Sequence, residues 1–355
     1  MSTVPIGRRP TTLQRVDGAE PAGTRLPEPG LVRAGQLSDI EPGAGDVEAG
    51  PYAACVRFRP ATGVLVACLF APDAESRALT VEDLSILTRP APGPDLTLRY
   101  GAAAEQVADV WLGGPLAAGR PLAVLVHGGF WRPEIDRTHT RPQAVALREA
   151  GWTVVSVEYR RVPGRPELSL DDVGAVLTAV PELLAAAVGD RAGEASHNGS
   201  VVVLGHSAGG QLALWAAAVV PIPGLVGTIA LAPVADLELA YRLGLRDGAV
   251  ADFLGGSPQG RGDLDPVRMA GPPTPVVIVH GKEDEIVPFE VGDSYAVAHP
   301  ATRMVPMPGV GHFALIDPLS EAWHVVVEAL STFGGSVPDA ARRQTEGNCL
   351  TVSTI

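Results

Sequence analysis

Val201-Val-Val-Leu-Gly-His-Ser-Ala-Gly-Gly210, running on as Gln211-Leu-Ala-Leu-Trp-Ala-Ala-Ala-Val-Val220, is the stretch on which the fold turns. The apolar, β-branched opening reads as a buried strand. The Ala- and Leu-rich run after Gly210 reads as a helix. Between them stands G-x-S-x-G, as Gly205-His206-Ser207-Ala208-Gly209. A serine on so tight a strand-to-helix turn needs strained backbone angles, and its Oγ then stands clear of the sheet edge. Side chains at Gly205 and Gly209 would collide with the neighbouring strand and helix. The helix start aims its backbone N–H groups at the same point. Ser207 is therefore the candidate nucleophile. His206 is its neighbour in the chain, but its side chain is expected to point away from Oγ and to serve packing and local hydrogen bonding.

Outward from this segment the same rhythm repeats. Strand-like runs lie at Leu96–Tyr100, Ala108–Leu112, Leu122–His127, Thr153–Tyr159, Gly227–Leu231, Val276–His280 and Arg303–Pro306. Helical patterns lie at Arg141–Ala150, Leu170–Val188, Gly209–Val219, Phe289–Ala298 and Leu319–Phe333. Alternating strands and helices predict an α/β fold, a doubly wound, mostly parallel sheet over residues 93–335. Ala235 to Pro275 breaks the rhythm and carries helical pieces at Leu237–Leu243 and Ala249–Leu254, so it is read as a small cap over a site. Residues 1–92 form a leader that ends in the Arg89-Pro-Ala-Pro-Gly-Pro94 linker. Its first fifty residues are rich in Pro, Gly and charge and are expected to be flexible, with a hairpin at 52–71. Residues 336–355 are expected to be a disordered tail.

The candidate chemistry follows from what a serine needs. Its hydroxyl is a poor nucleophile at neutral pH without an adjacent base. The strand Val276–His280 ends in Gly281-Lys-Glu-Asp284, which puts a carboxylate past a strand's C-terminal end, where the site of an open α/β sheet lies. Asp284 is the candidate acid, with Glu283 and Glu285 as the alternatives. The next strand leads into Pro308-Gly-Val-Gly-His312, and His312 is the candidate base. Its Nε2 would take the Ser207 proton, while Asp284 holds Nδ1–H and stabilises the imidazolium. The strand Leu122–His127 runs into His127-Gly-Gly-Phe-Trp131. Acyl transfer builds negative charge on oxygen, and consecutive glycines let backbone amides approach it. The expected oxyanion hole draws on Gly128, Gly129, Phe130 and Ala208. His127 is read as a structural histidine that pins this loop. Phe130 and Trp131 line a substrate pocket or pack as rim and core, and Trp111 is a further aromatic candidate for that pocket.

Composition excludes several classes. The chain has 355 residues, 46% hydrophobic and 19% charged, enough for one large α/β domain. A formal net charge of -13 repels phosphate-rich partners, so nucleic acid is not an expected ligand. Cys55, Cys68 and Cys349 are odd in number and not spaced as metal ligands; no disulfide framework is implied, as in a reducing compartment. The N-terminus shows no secretory pattern, and no apolar run approaches the roughly 20 residues of a membrane helix. The expectation is a cytoplasmic protein, monomer or homodimer, that acts on a small molecule without membrane contact, metal or cofactor.

Taken together, HGGFW, EYRRVPGRPELSLDDV, GHSAGGQLALW, HGKEDEIVP and GVGHF stand in the order found in α/β hydrolases. From about Thr97 to Phe333 the chain resembles that superfamily, and within it the esterases and kynurenine formamidases with an H-G-G-x-W oxyanion segment. The resemblance implies the triad Ser207, Asp284 and His312, oxyanion amides near Gly129, no cofactor, and an ester or N-formyl amide as substrate. Glu158-Tyr159-Arg160 and Asp171-Asp172 match segments of related esterases and are read as structural. The leader has no counterpart in the resemblance, and the cap Ala235–Pro275, which would choose the substrate, carries no readable pattern. Three other readings stand beside it: an oligopeptidase-like hydrolase, which wants a β-rich gating domain that the leader is too short to supply; a non-catalytic binding module on the same fold; and an interfacial lipase, which wants a more apolar lid.

Overall fold

Continuous β-branched runs such as Val201–His206 and Val276–Gly281 offer no polar face, so they form strands covered on both sides. A computed structural model describes residues 82–189 and 197–334, and the backbone of 54–58 and 65–69. The chain separates into two units, residues 1–78 and 79–355. In the first, strands β1 (Ala54–Phe58) and β2 (Leu65–Leu69) pair antiparallel, with Ala54 opposite Leu69 and Phe58 opposite Leu65. The turn between them, the flexibility expected for the rest of the leader and the disorder expected for the tail lie outside the described residues.

The second unit is built on an eight-stranded sheet. Its strands are β3 (Leu96–Arg99), β4 (Val107–Trp111), β5 (Leu122–Val126), β6 (Val154–Val157), β7 (Val201–His206), β8 (Leu225–Leu231), β9 (Val276–Gly281) and β10 (Arg303–Met307). They lie in the order β10-β9-β8-β7-β5-β6-β4-β3. From β10 to β6 all neighbours are parallel. β4 joins β6 antiparallel, and β3 joins β4 antiparallel, at one edge. The expected doubly wound, mostly parallel sheet is therefore observed. The helices are α1 (Arg141–Glu149), α2 (Pro166–Val188), α3 (Ala208–Val219), α4 (Leu237–Arg242), α5 (Leu245–Leu254), α6 (Phe289–Ala298) and α7 (Trp323–Ser331).

Alternation along each strand sorts side chains into two layers. On β5, Leu122, Val124 and Val126 join the core beneath α2 and α3, with Val173, Val176, Leu212 and Ala216. Ala123 and Leu125 join the opposite core, with Ala144 and Leu147 of α1 and Val326 and Leu330 of α7. Each fully buried Val or Leu contributes about 1.5–3 kcal/mol. The chain leaves β5 for β6 on one side and returns to β7 on the other. That reversal opens a crevice at the C-terminal ends of β5 and β7, the place where open α/β sheets bind ligands.

Three boundaries differ from the sequence reading. The second unit begins at Leu79 and not at residue 93. Ile86 is buried in the core with Leu315 and Ile316, and Arg89 pairs with Asp317, so this part of the leader belongs to the fold. α2 starts earlier than expected, because Pro166 stands where a missing N–H costs nothing and its φ is preset. α7 starts later, at Trp323: residues Phe313–Ile316 form a 3-10 turn, which the Asp317 carboxylate ends by accepting Leu319 N–H at 2.8 Å.

The cap lies between β8 and β9 and holds α4, α5 and a 3-10 turn at Pro266–Arg268. Left-handed angles at Arg246, Asp247 and Gly248 break α5 near its start. The end of α5 meets the loop before α2: Gly164 N–H donates to Asp252 C=O at 2.7 Å, and a Cβ on Gly255 would lie 3.0 Å from Gly164 Cα. Both positions have positive φ, 72° at Gly164 and 74° at Gly255, which glycine adopts without strain.

Candidate active site

Ser207 is the hinge between β7 and α3, with φ 56° and ψ -120°. A non-glycine residue with such angles is strained, and strain of this kind persists only where the surroundings fix it. They do so here. Ser207 N–H donates to Leu231 C=O at 2.9 Å, and its own C=O accepts from Gly210 at 2.9 Å and Val234 at 3.1 Å. A Cβ on Gly209 would overlap the carbonyls of Val126 and His127, and one on Gly205 would overlap Gly209 and Ala213. The two glycines let β5, β7 and α3 close around the serine. Ser207 Oγ is buried, and among the described residues it has no hydrogen-bond partner.

The segment after β5 reaches this point. A Cβ on Gly128 would lie 3.0 Å from Ser207 Cβ and 2.8 Å from His206 C=O. Gly129, Phe130 and Trp131 follow with φ of 115°, 54° and 55°, three left-handed residues in succession. The turn they make is closed by Arg132 N–H on Gly129 C=O at 3.0 Å. Ala208 opens α3, so its N–H has no carbonyl one turn earlier in the helix. His127 sits beneath: its Nε2 lies 3.1 Å from Glu158 Oε1, its Nδ1 2.7 Å from Gly128 C=O, and its ring stacks on Tyr159 at 4.5 Å. Tyr159 OH donates to His127 C=O at 2.8 Å.

Asp284 is the carboxylate that meets His312, with Oδ2 2.6 Å from Nδ1. Its Oδ1 accepts Ile286 N–H at 2.9 Å and Val287 N–H at 2.7 Å, and His280 Nε2 lies 3.4 Å from Oδ2. Burial alone would raise its pKa. The His312 charge, the His280 and His312 hydrogen bonds and the Val287 amide outweigh burial and hold it well below the usual carboxylate range. Glu283 instead accepts Gly309 N–H at 2.5 Å, and Glu285 is exposed. The His312 ring lies 4.5 Å from the ring of His206, whose Nε2–H donates to His312 C=O at 3.2 Å. His206 is buried and its pKa is depressed, first by burial and then by His312, so it is neutral at pH 7. The structure brings His312 to Asp284 and to the residue beside Ser207. It does not form the Ser207 Oγ–His312 Nε2 hydrogen bond; in free enzymes such bonds are often long and tighten only around substrate.

The charged segment after β6 is a buried network. Glu158 accepts from Arg161 and from Arg137 N–H at 3.0 Å, and Asp172 accepts Arg160 Nη2–H at 2.7 Å and Gln106 Nε2–H at 2.7 Å. These contacts hold the strand end that faces the His127 loop. Trp131 stacks on Phe253 of α5 at 4.3 Å, and its Nε1–H donates to Gln211 Oε1 at 3.2 Å. Gln211 Nε2–H in turn donates to Leu264 C=O at 2.8 Å. Gln211 thus joins the oxyanion segment, α3 and the cap. Phe130, Trp131, Arg132, Pro163, Asp252 and Phe253 line a cleft of about 260 Å³ between that segment and α5. Trp111 lines no cleft: it is fully buried with Trp152 and Leu147, and its Nε1–H donates to Pro92 C=O at 3.3 Å.

Sequence reasoning missed Gln211, Phe253 and Glu82. The carboxylate of Glu82 accepts the N–H groups of His312 and of Phe313, the latter at 3.2 Å. Only the Asp83-x-Ser85 capping pattern before Ile86 hints that this stretch is ordered. Among the described residues no cluster of His, Cys, Asp or Glu is arranged to hold a metal, and no helix is long and apolar enough to cross a membrane.

A family model described as α/β-hydrolase fold matches residues 123–250. No curated protein matches the chain. Among solved structures, a phosphonate-inhibited esterase B from Lactobacillus rhamnosis superposes with a TM-score of 0.55 and 19% identity, over 72% of this chain and 90% of its own. A truncated carbohydrate esterase from gut microbiota gives 0.54 and 15%, over 68% and 99%. The thermophilic esterase Est2 of Thermogutta terrifontis gives 0.51 and 21%, over 76% and 99%.

Proposed function

We propose, for a chain that has the α/β-hydrolase fold, that it is a serine hydrolase cleaving a small carboxylic ester or aryl formamide through an acyl-enzyme intermediate. Many unrelated functions share this fold, so the reading rests on the site. The observation that carries it is Ser207: a strained residue at a strand-to-helix turn, its Oγ without a partner among the described residues, packed against Gly128 and next in the chain to His206, whose ring meets the carboxylate-bound His312.

His312 Nε2 takes the Ser207 proton as Oγ attacks the carbonyl carbon. Asp284 holds the ring through Nδ1–H and stabilises the imidazolium. The oxyanion meets the amides of Gly129, Phe130 and Ala208, each worth roughly 2.7–4 kcal/mol of barrier. His312 then protonates the leaving oxygen or nitrogen, which departs and leaves an ester on Ser207. Water, deprotonated by His312, cleaves that ester. The cleft of about 260 Å³ lined by Phe130 and Trp131 is smaller than usual ligand sites and is not lined by Ser207 or His312, so it supports only a compact group beside the oxyanion segment.

A fluorophosphonate probe should label Ser207 in the wild type and leave Ser207→Ala unlabelled. Short p-nitrophenyl esters should turn over with the wild type only. A wild type inert to probe and esters would overturn the reading. Turnover of N-formylkynurenine set against a panel of acyl esters separates the substrate classes: a formamide rate no better than generic esters removes the formamidase assignment.

A further inference from the structure

We propose that Glu82, upstream of the sheet, is a positioning residue that fixes the backbone of the base His312; this rests on the hydrolase reading above. The segment from Glu82 to Arg89 is a strap across the end of the His312 loop. Asp83 accepts Ser85 N–H at 2.9 Å and starts a 3-10 turn over Leu84–Leu87. Ile86 is 1% exposed and packs in one core with Leu315 and Ile316. Arg89 donates to both oxygens of Asp317, at 2.7 Å from Nη2. The strap therefore has its own anchors, Ile86 and Arg89, which owe nothing to Glu82.

Glu82 stands at the upstream end and is aimed at one thing. Among the described residues it hydrogen-bonds only the N–H groups of His312 and Phe313. These are donors at the start of the 3-10 turn Phe313–Ile316, where no carbonyl of the turn can reach. A charged acceptor there makes stronger bonds than a neutral one. Gly311 leaves the room for it: a Cβ at that position would overlap the Glu82 carboxylate. On the other side, His206 donates to His312 C=O. The N–H and C=O of the base are thus held by side chains from two other elements, while Asp284 holds its ring. Asp284 fixes one ring nitrogen only. Where the other nitrogen stands relative to Ser207 depends on the backbone, and a displacement of about 1 Å at such a centre can cost about 100-fold in rate.

The test compares wild type with Glu82→Ala, Glu82→Gln and Arg89→Ala on a p-nitrophenyl ester. Rates are expressed per serine titrated with the fluorophosphonate, and thermal midpoints are measured alongside. Glu82→Ala should lower kcat by about tenfold or more with KM within about twofold. Glu82→Gln keeps a carbonyl acceptor and should recover part of the loss. Arg89→Ala loosens the far end of the strap and should lower the midpoint while leaving kcat within about twofold. If Glu82→Ala does not fold, the isosteric Glu82→Gln decides by the same criterion: a lowered kcat at constant KM supports the role and an unchanged kcat removes it. An unchanged kcat per titrated serine in Glu82→Ala, or losses in Glu82→Ala and Arg89→Ala that simply follow the midpoint, would overturn the proposal. A wild type that neither labels nor turns over ester fails the hydrolase reading instead, and takes this one with it.

Discussion

At the scale of single residues, the site is defined as much by missing atoms as by those present. Gly209 has no Cβ because the carbonyls of Val126 and His127 occupy the space. Those carbonyls are backbone at the end of β5 and cannot rotate away. Gly209→Ala should cost about 1–3 kcal/mol in urea unfolding. It should also lower ester turnover, since the segment it displaces carries Gly128 and Gly129. Gly119 has nothing within 4 Å of its would-be Cβ, so Gly119→Ala should stay within about 0.5 kcal/mol of wild type. Charge is equally decisive at Glu158. Its side chain is 3% exposed and that of Arg161 4%. Burial raises the Glu158 pKa, but the His127 hydrogen bond and the charges of His127 and Arg161 outweigh it and hold the group well below its usual value. Glu158→Gln leaves Arg161 buried beside a neutral amide. The expected loss is about 3–5 kcal/mol at pH 7. A depressed carboxyl pKa contributes stability above the unfolded value near 4.3 and loses it as pH falls through the folded value, so the gap between variant and wild type should narrow below pH 4. Denaturant titrations at pH 7 and pH 3.5 check both statements.

At the scale of elements, the sheet was legible because its strands are short apolar runs covered on both faces. β7, β9 and β5 needed no partner information to be recognised. The Ser207 turn and the Asp284–His312 contact were legible for a related reason: each of these residues follows a strand in a motif with its own glycines. Glu82 and Gln211 were not, because their partners stand far off in sequence, 230 residues away for Glu82 and 53 for Gln211. The cap was legible as an interruption and opaque as a structure, since α4 and α5 owe their place to tertiary contacts. Asp265 is one of these. It is fully buried, its Oδ1 accepts Leu237 N–H at 2.9 Å at the start of α4, and among the described residues Oδ2 has no partner. Burial pushes its carboxyl up to about 6. A raised folded pKa contributes stability below the unfolded value near 3.9, and that contribution is lost as pH rises through about 6. Asp265→Asn keeps the acceptor and cannot ionise. It should be more stable than wild type at pH 8 by about 3 kcal/mol, with the difference falling below about 1 kcal/mol at pH 4. A variant less stable than wild type at pH 8 would show that the ionised form is held by the cap.

At the scale of the whole molecule, the crevice reads as the consequence of one reversal in strand order. β5 and β7 are neighbours whose following segments go to opposite faces, and the glycine segment and Ser207 meet where they part. Packing that junction tightly buries His127, His206 and His312 and leaves His139 half-buried beside them. His139 precedes α1, half-buried, with its Nδ1 2.7 Å from Asp136 C=O and its ring edge-on to His127 at 5.7 Å. Burial, then the neighbouring His127, depresses its pKa to about 4. His206 is depressed for similar reasons. A histidine held neutral in the fold binds fewer protons than the unfolded chain between its folded value and about 6.5, so stability rises with pH through that interval. Its contribution is complete above about 6.5 and lost as pH falls toward 4. Glu158 and Asp284, with depressed carboxyls, lose theirs only below about 4. The histidines should therefore begin to lower the thermal midpoint near pH 6.5, before any of those carboxylates is protonated, against the opposite contribution of Asp265 below about 6. His139→Asn can keep a donor to Asp136 C=O without a titrating ring. Its midpoint should fall less between pH 6.5 and 4.5 than that of wild type, by about 2 °C or more, at roughly 2–4 °C per kcal/mol for a domain of this size. Identical pH dependence in the two proteins would mean that His139 does not resist protonation, and that the early fall, if seen, belongs to His206 and the site itself.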